Sequence, residues 1–195
     1  MAITSIKTGS SFTNLVKYND FLAGNPSFIP SSYESIASST PTSGSSITFN
    51  SIPSGYASLQ IRGVMFGSSA YNVSVQLNSD SSANYSIHRL SGNGSTATAA
   101  GQNSSITYGL YGSPNNVDGT TTQGTGFIID IHDYTSTTKN KTSRTFTGID
   151  KNGTGEIALW SGCWYSTAAV TSATVYLLGG TFATGTTISL YGIKA

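Results

Sequence analysis

The sequence contains a single cysteine, Cys163, and no run of eighteen consecutive apolar residues. One cysteine cannot form an internal disulfide, so the fold must be held by its core and its hydrogen bonds, or by other subunits. The missing apolar run excludes a membrane-spanning helix of ordinary length. The N-terminus also lacks a basic start followed by an apolar stretch, so no secretory signal is expected there.

Charged side chains are scarce as well. They make up 9% of the chain, against about 25% in an ordinary globular domain. Nine basic and eight acidic residues leave a formal charge of +1. A chain so weakly charged has no electrostatic footprint for nucleic acid or for a membrane surface. We therefore expect neither as a partner.

Gly, Ser, Thr and Asn are abundant instead, and aromatic residues reach 11%. This composition is typical of an all-β protein with many turns. With 195 residues and 37% hydrophobic content, the chain can bury one sizeable core.

Most of the chain repeats short runs in which apolar and polar residues alternate. Tyr71, Val73, Val75 and Leu77 alternate with polar residues, which gives a strand one apolar face and one wet face. The same pattern predicts strands at 33–37, 47–52, 58–66, 85–90, 106–111, 127–134, 144–149, 156–160, 173–178 and 187–193.

About ten short strands without a helical period predict an antiparallel β-sandwich of the jelly-roll type. Two sheets can bury their apolar faces against each other, whereas one open sheet of this size leaves long unpaired edges. An up-and-down barrel is the alternative architecture.

Residues 1–32 differ from the rest, because their apolar residues follow no sustained period. We predict that this segment is an extended N-terminal arm and that residues 33–195 form the sandwich domain. Such an apolar arm is expected to lie on its own domain or on a neighbouring subunit. The side chains expected to dock it are Phe12, Leu15, Phe21 and Phe28.

The stretch LNSDSSANYSIHRLSGNG, residues 77–94, gathers polar residues between two apolar-patterned segments. Asn78, Asp80, Ser82 and Asn84 alternate faintly like calcium ligands, but the glycine and the distal glutamate of an EF-hand are absent. Turn-forming residues between two strands explain them without an ion, so we expect no metal site. The neighbours His88 and Arg89 should point to opposite faces of a strand.

Two further segments carry candidate chemistry. In FIIDIHDY, Asp130 and His132 share one strand face about 7 Å apart, but no nucleophile or third metal ligand can be nominated, so a polar sheet face is the simpler interpretation. In LWSGCWYS, aromatic side chains are able to stack on a sugar, or to fill the core or an interface. The candidate glycan contacts are Asn84, Trp160, Trp164 and Tyr165.

The order of several phrases resembles a family of tailed-phage virion proteins. The phrases are ITFNSIPSGYASLQIRG, LNSDSSANYSIHRLSGNG, DIHDYTSTTKNKTSRTFTGID, and NGTGEIALWSGC followed by the terminal SLYGIKA. The resemblance covers residues 33–195. It implies a jelly-roll module carried on phage structural proteins, preceded by a variable segment that attaches it to the particle, with no catalytic or cofactor residues.

On this resemblance we expect a non-enzymatic virion structural protein made in the bacterial host cytoplasm. A capsid decoration or head-fibre protein is expected first, since the chain has no helical or repetitive stalk. A tail appendage that binds a carbohydrate or receptor is the alternative. The expected partners are other virion proteins, further copies of the chain in a homotrimer, and, for the alternative, a host surface glycan.

Overall fold

The computed structural model describes residues 32–68, 72–111 and 122–194, without the side chains of residues 104, 105 and 111. The chain divides into two units, Met1–Ser32 and Tyr33–Ala195, and every strand described below belongs to the second. The expected docking residues Phe12, Leu15, Phe21 and Phe28 lie outside the described residues. The described residues contain no helix, and therefore none that could cross a membrane.

The described part of the chain forms twelve strands in two antiparallel sheets. The strands are β1 (Tyr33–Ser39), β2 (Ser46–Phe49), β3 (Ser58–Met65), β4 (Val73–Leu77), β5 (Tyr85–Gly92), β6 (Ala97–Ile106), β7 (Leu110–Tyr111), β8 (Thr125–His132), β9 (Lys141–Asp150), β10 (Gly155–Trp164), β11 (Ala173–Leu177) and β12 (Thr187–Ile193). The large sheet has the order β1-β12-β3-β8-β9-β10-β5-β6, and the small sheet has the order β2-β11-β4-β7.

Eight of these strands make a jelly roll. These eight strands are β1–β4, β7, β8, β11 and β12. If they alone are renumbered 1 to 8 in chain order, they form two four-stranded sheets with the strand orders 1-8-3-6 and 2-7-4-5. This is the double Greek-key arrangement of a jelly roll. The antiparallel sandwich predicted from the sequence is confirmed, and the two separate sheets replace the barrel alternative.

Two inserted hairpins widen one of the two sheets. The hairpin β5–β6 lies between β4 and β7 in the chain, and the hairpin β9–β10 lies between β8 and β11. Both add to the free side of β8, so the large sheet continues as β8-β9-β10-β5-β6. Within the described ranges the small sheet receives no added strand, so the two sheets differ twofold in strand number.

The core lies between the inner faces of the two sheets. The large sheet contributes Ile61 and Ile129, and the small sheet contributes Val75 and Val175, all of them fully buried. Along β8 the burial alternates, with Phe127, Ile129 and Ile131 inward and the residues between them outward. The alternating pattern thus places apolar side chains in the core, as the sequence indicates.

The prediction of one strand over residues 106–111 needs correction. The structure ends β6 at Ile106 and begins β7 at Leu110. Between them Gly109 has a φ of +101°, and a Cβ there would overlap the carbonyl oxygen of Val75. Sequence reasoning also missed most of β6, because ATAAGQNSS has neither bulky β-formers nor a clear alternation.

A buried lysine at the start of β9 holds loop carbonyls together. The Lys141 side chain is fully buried, and its ammonium group donates hydrogen bonds to the carbonyl oxygens of Ser136 at 2.6 Å, Lys139 at 2.8 Å and Ser166 at 3.4 Å. Burial lowers the pKa of Lys141, and the charge of Asp133 opposes this shift. The ammonium therefore serves as an internal cap for loop carbonyls that would otherwise lack partners.

Two strand glycines provide a test of which face is packed. A Cβ on Gly162 would lie 2.7 Å from Ser143 Oγ and 2.8 Å from Leu110 Cδ2, whereas a Cβ on Gly126 has no neighbour within 4 Å. We expect Gly162→Ala to lower the free energy of unfolding by about 1 to 3 kcal/mol through overpacking. Gly126→Ala should leave it unchanged or raise it by up to about 1 kcal/mol.

Urea unfolding at neutral pH measures both changes under the same conditions. Equal destabilisation by the two substitutions would contradict the assignment of inner and outer faces.

Candidate binding face on the eight-stranded sheet

The outer face of the large sheet carries an unusual share of exposed apolar side chains. Nine large apolar residues are exposed among the described residues, and the six that are not tyrosine all lie on this face: Val64, Leu90, Ile128, Phe146, Ile157 and Leu159. Scattered single apolar residues are normal on a protein surface, but a contiguous group marks an interaction site.

Four of these side chains form one row across neighbouring strands. Ile128 pairs with Phe146, Phe146 with Leu159, and Leu159 with Leu90. Their exposed fractions are 39%, 50%, 52% and 56%, respectively. We call this row the apolar ridge. It crosses β8, β9, β10 and β5, which is where the inserted hairpins join the jelly roll.

The next outward row on the same strands consists mainly of glycine. Gly126 pairs with Gly148, Gly148 pairs with Ile157, and Ile157 pairs with Gly92. We call Gly126, Gly148 and Gly92 the glycine trough. With Val64, Ile128 and Phe146 beside it, the trough lines an open groove with a volume of about 1040 Å³.

The fold itself does not require glycine at these three positions. None of them has a positive φ. A Cβ would find nothing within 4 Å at Gly126, its nearest atom at 3.9 Å at Gly92, and its nearest atom at 3.4 Å at Gly148. Because glycine weakens a strand interior, glycine at such open positions indicates that another molecule approaches the backbone closely.

A polar depression lies on the other side of the ridge. It has a volume of about 560 Å³, and its lining includes His88, His132, Arg144, Ser161 and Tyr165. The guanidinium group of Arg144 lies 3.3 Å from Nε2 of His132. The ring of Tyr165 is exposed, and its hydroxyl oxygen accepts a hydrogen bond from Ser86 Oγ at 3.2 Å.

The candidate dyad of Asp130 and His132 does share this outer face, as the sequence predicts. Asp130 accepts a hydrogen bond from Nε2 of Gln60 at 2.8 Å. Burial raises the pKa of the nearby Cys163 thiol, which keeps it protonated and weakly nucleophilic at neutral pH. Among the described residues, no group of three His, Cys, Asp or Glu side chains is arranged to hold a metal ion.

His88 and Arg89 point to opposite faces, which confirms the prediction made from strand geometry. His88 is exposed on the outer face. On the inner face, the Arg89 guanidinium lies 3.8 Å from a Glu156 carboxylate oxygen and 5.4 Å from the centre of the Trp160 ring.

The polar residues before β5 organise the loop that joins the two sheets. The Asp80 carboxylate accepts hydrogen bonds from Trp164 Nε1 at 2.7 Å, Asn84 Nδ2 at 3.0 Å and the Ser82 amide at 2.9 Å. Burial by itself raises the pKa of Asp80, but these hydrogen bonds outweigh it and lower the pKa from 3.8 to about 2. The loop is thus a network around one carboxylate.

Both tryptophans predicted as glycan contacts lie inside the sandwich. Trp160 is 8% exposed and Trp164 is 2% exposed. Trp164 stacks on Tyr85 with 6.3 Å between ring centres. Because their faces are covered by protein, neither ring is presented to a sugar, which corrects that assignment. Asn84 is held in the Asp80 network, and Tyr165 alone of the four presents an exposed ring.

Sequence reasoning did not identify the apolar ridge. Its signal is present in SRTFTGID, where Phe146 shares a strand face with Arg144 and Asp150, while Thr145 and Thr147 point into the protein. An aromatic residue on the charged face of a strand, with threonine on the opposite face, reverses the usual polar-out pattern. The pattern around residues 144–150 therefore marks an outward apolar surface.

The fold and the face define a jelly-roll β-sandwich with an outward apolar groove. No protein-family model, curated protein or solved structure gives a significant match to the chain.

The Asp80 network predicts a pH-dependent contribution to stability. Because the pKa of Asp80 is lower in the folded chain than its ordinary value of 3.8, its stabilisation is complete above pH 4 to 5 and is lost as the pH falls through about 2. After a discount for solvent screening, we expect Asp80→Asn to lower the free energy of unfolding at pH 7 by about 1 to 2 kcal/mol.

Urea unfolding between pH 7 and pH 2 measures the difference in the free energy of unfolding between the wild type and Asp80→Asn. This difference should become smaller as the pH falls through this window. The matched control is Glu34→Gln, since Glu34 makes an exposed ion pair with Lys194, for which we expect a change within about 0.5 kcal/mol. A gap for Asp80→Asn that does not vary with pH would contradict the role given to the carboxylate charge.

Proposed function

We propose that this chain is a non-enzymatic structural protein of a tailed-phage particle. Its role is that of a capsid decoration or head-fibre protein, attached to the particle through residues 1–32. The exposed apolar face of the large sheet is the observation that carries a role in assembly, because a contiguous exposed apolar patch marks a site of interaction with another surface.

Two further features support this function. The ordered phrases of residues 33–195 resemble phage virion proteins, and the jelly roll is an architecture found among viral capsid and lectin domains. The low charge and the polar Ser, Thr and Gly turns are compatible with a particle that persists outside the cell. Fold alone does not define function, so the proposal rests on the face and the resemblance together.

The proposal predicts that the protein is present in purified phage particles at many copies each. Quantitative mass spectrometry of particles purified through two density gradients, with antibody labelling in the electron microscope, should find it on the head. A host-cell protein of similar abundance serves as the carry-over control. If the protein is absent from purified particles, the virion assignment is wrong. If labelling is confined to the tail, the capsid assignment is wrong.

The arm has its own prediction. Deleting residues 1–32 removes Phe12, Leu15, Phe21 and Phe28, each worth about 1.5 to 3 kcal/mol when fully buried. The shortened protein should remain folded and should no longer bind particles that lack the wild-type protein. Pelleting with such particles measures binding, and circular dichroism checks the fold. Wild-type occupancy by the shortened protein would refute attachment through the arm.

A second function, recognition of a carbohydrate by a tail appendage, is favoured by the polar depression. Its imidazole, guanidinium and hydroxyl groups stand next to the exposed ring of Tyr165. An aromatic face with a few polar groups beside it is suited to a sugar ring.

If the depression binds a glycan, Tyr165→Ala should weaken binding about 5- to 30-fold, since the lost stacking is worth about 1 to 2 kcal/mol. Tyr108→Ala is the matched control, because Tyr108 is similarly exposed but lies outside the depression. A glycan array probed with the full-length protein provides the measurement. No binding above background, or equal loss for both variants, would reject the carbohydrate function.

A further inference from the structure

We propose that the outer face of the large sheet binds a second copy of the same chain, face to face, about a two-fold axis. The axis lies between the two protomers, parallel to the sheet and perpendicular to the strands, along the row of Thr147. This inference goes beyond the proposed function, since the contact needs no other virion component, although both depend on the same exposed face.

The ridge and the trough are complementary to each other. They occupy adjacent outward rows on the same strands, about 7 Å apart. Rotation about the proposed axis keeps each strand opposite its own copy and reverses the direction along it. The ridge of one protomer therefore lies over the trough of its partner, and the converse contact forms at the same time, as an isologous interface requires.

The registers give this match on several strands at once. The inward row Phe127, Thr147, Ala158 and Ser91 is continuous across β8, β9, β10 and β5, so one straight axis can lie between ridge and trough on all four strands. The rotation then sets the side chains of Ile128, Phe146 and Leu90 against glycines of the partner and Leu159 against an isoleucine.

The open backbone at the trough explains why glycine suits this contact. Face-packed sheets lie about 10 Å apart with interdigitating side chains. A ridge that includes an aromatic ring needs space on the opposite face, and the missing side chains at the trough provide it. Aligned sheets also rotate by about 30° relative to each other, so the match is best near β9.

Charge complementarity supports the same axis. On β9 the outward residues are Arg144, Phe146, Gly148 and Asp150 in succession. Reversal about Thr147 places Arg144 of one protomer opposite Asp150 of the other, and this pair forms twice. Both side chains are exposed in the single protomer, where Arg144 contacts His132 and Asp150 accepts a hydrogen bond from the Asn152 amide.

The face is large enough for a stable dimer. Eight strands at about 4.8 Å spacing and about seven residues of height give a face of about 34 by 23 Å, close to the roughly 800 Å² that each partner buries in a standard interface. An apolar centre with few charges is also typical of homodimer interfaces.

The contact differs from the trimer expected from the resemblance. Three-fold closure uses two different patches on each subunit, whereas the ridge and trough match themselves by a two-fold rotation. Coverage of the face by residues 1–32 instead of a second copy would leave the protein monomeric. Oligomeric state and its response to charge therefore separate the three arrangements.

Sedimentation velocity of the full-length protein from about 1 to about 100 µM tests the proposal. The wild type should form a species of twice the 20.2 kDa chain mass. Arg144→Asp and Asp150→Arg should each weaken self-association about tenfold or more, because each places like charges opposite each other in both pairs. An equimolar mixture of the two variants should restore the dimer as a heterodimer, since both pairs are then complementary.

Two uncharged variants complete the test. Phe146→Ser removes the centre of the ridge, and Gly126→Val fills the trough at a position where the fold has room; each should weaken the dimer about tenfold or more. Urea unfolding verifies that the variants are folded. A wild type that remains monomeric or forms a trimer, or a dimer that none of the four substitutions weakens, would overturn the proposal.

These results are distinguishable from a failure of the virion function. A dimer that is absent from phage particles rejects only the virion assignment. A protein that is abundant in particles but monomeric in solution, at every concentration tested, rejects only the face-to-face dimer.

Discussion

The burial of apolar rows between two jelly-roll sheets is the interaction on which the rest of the structure depends. Ile61 and Ile129 from the large sheet, with Val75 and Val175 from the small sheet, are fully buried. No disulfide is available to a chain with one cysteine, so this burial, together with the sheet hydrogen bonds, must supply the stability. Outside the sheets, hydrogen bonds to the Asp80 carboxylate hold the loop before β5, and hydrogen bonds from the Lys141 ammonium group hold the loop carbonyls of Ser136, Lys139 and Ser166.

The inserted hairpins create the surface that sets this sandwich apart. They widen one sheet beyond β8 and leave the other at four strands. The apolar ridge crosses β8, β9, β10 and β5, so the strands that widen the sheet also expose Phe146, Leu159 and Leu90. Hairpins inserted at two distant points of the chain thus build one continuous outer face. A groove floored by glycine and bordered by apolar side chains is suited to contact with another folded surface.

Sequence periodicity predicted the sandwich well, because the inward residues of β8 are strongly apolar and strand alternation makes burial readable. It placed His88 and Arg89 on opposite faces for the same reason. It failed where local pattern and tertiary position disagree. From the sequence alone, Trp160 and Trp164 look like residues that could stack on a ligand. Only the pairing of β10 with β5 and β9 shows that both side chains point into the protein. The ridge needed the register of four strands, which are distant in sequence and therefore invisible to a local pattern.

Hydroxyl-radical footprinting of the full-length protein at several concentrations tests the central claim most directly, namely that a second copy covers this face. Tyr108, which is 55% exposed outside the groove, is the internal reference. The account predicts that Phe146, Leu159 and Leu90 react more slowly than their exposure implies at high concentration, and that dilution restores their reactivity. Equal reactivity at every concentration, or protection that persists at the lowest concentration, would contradict it.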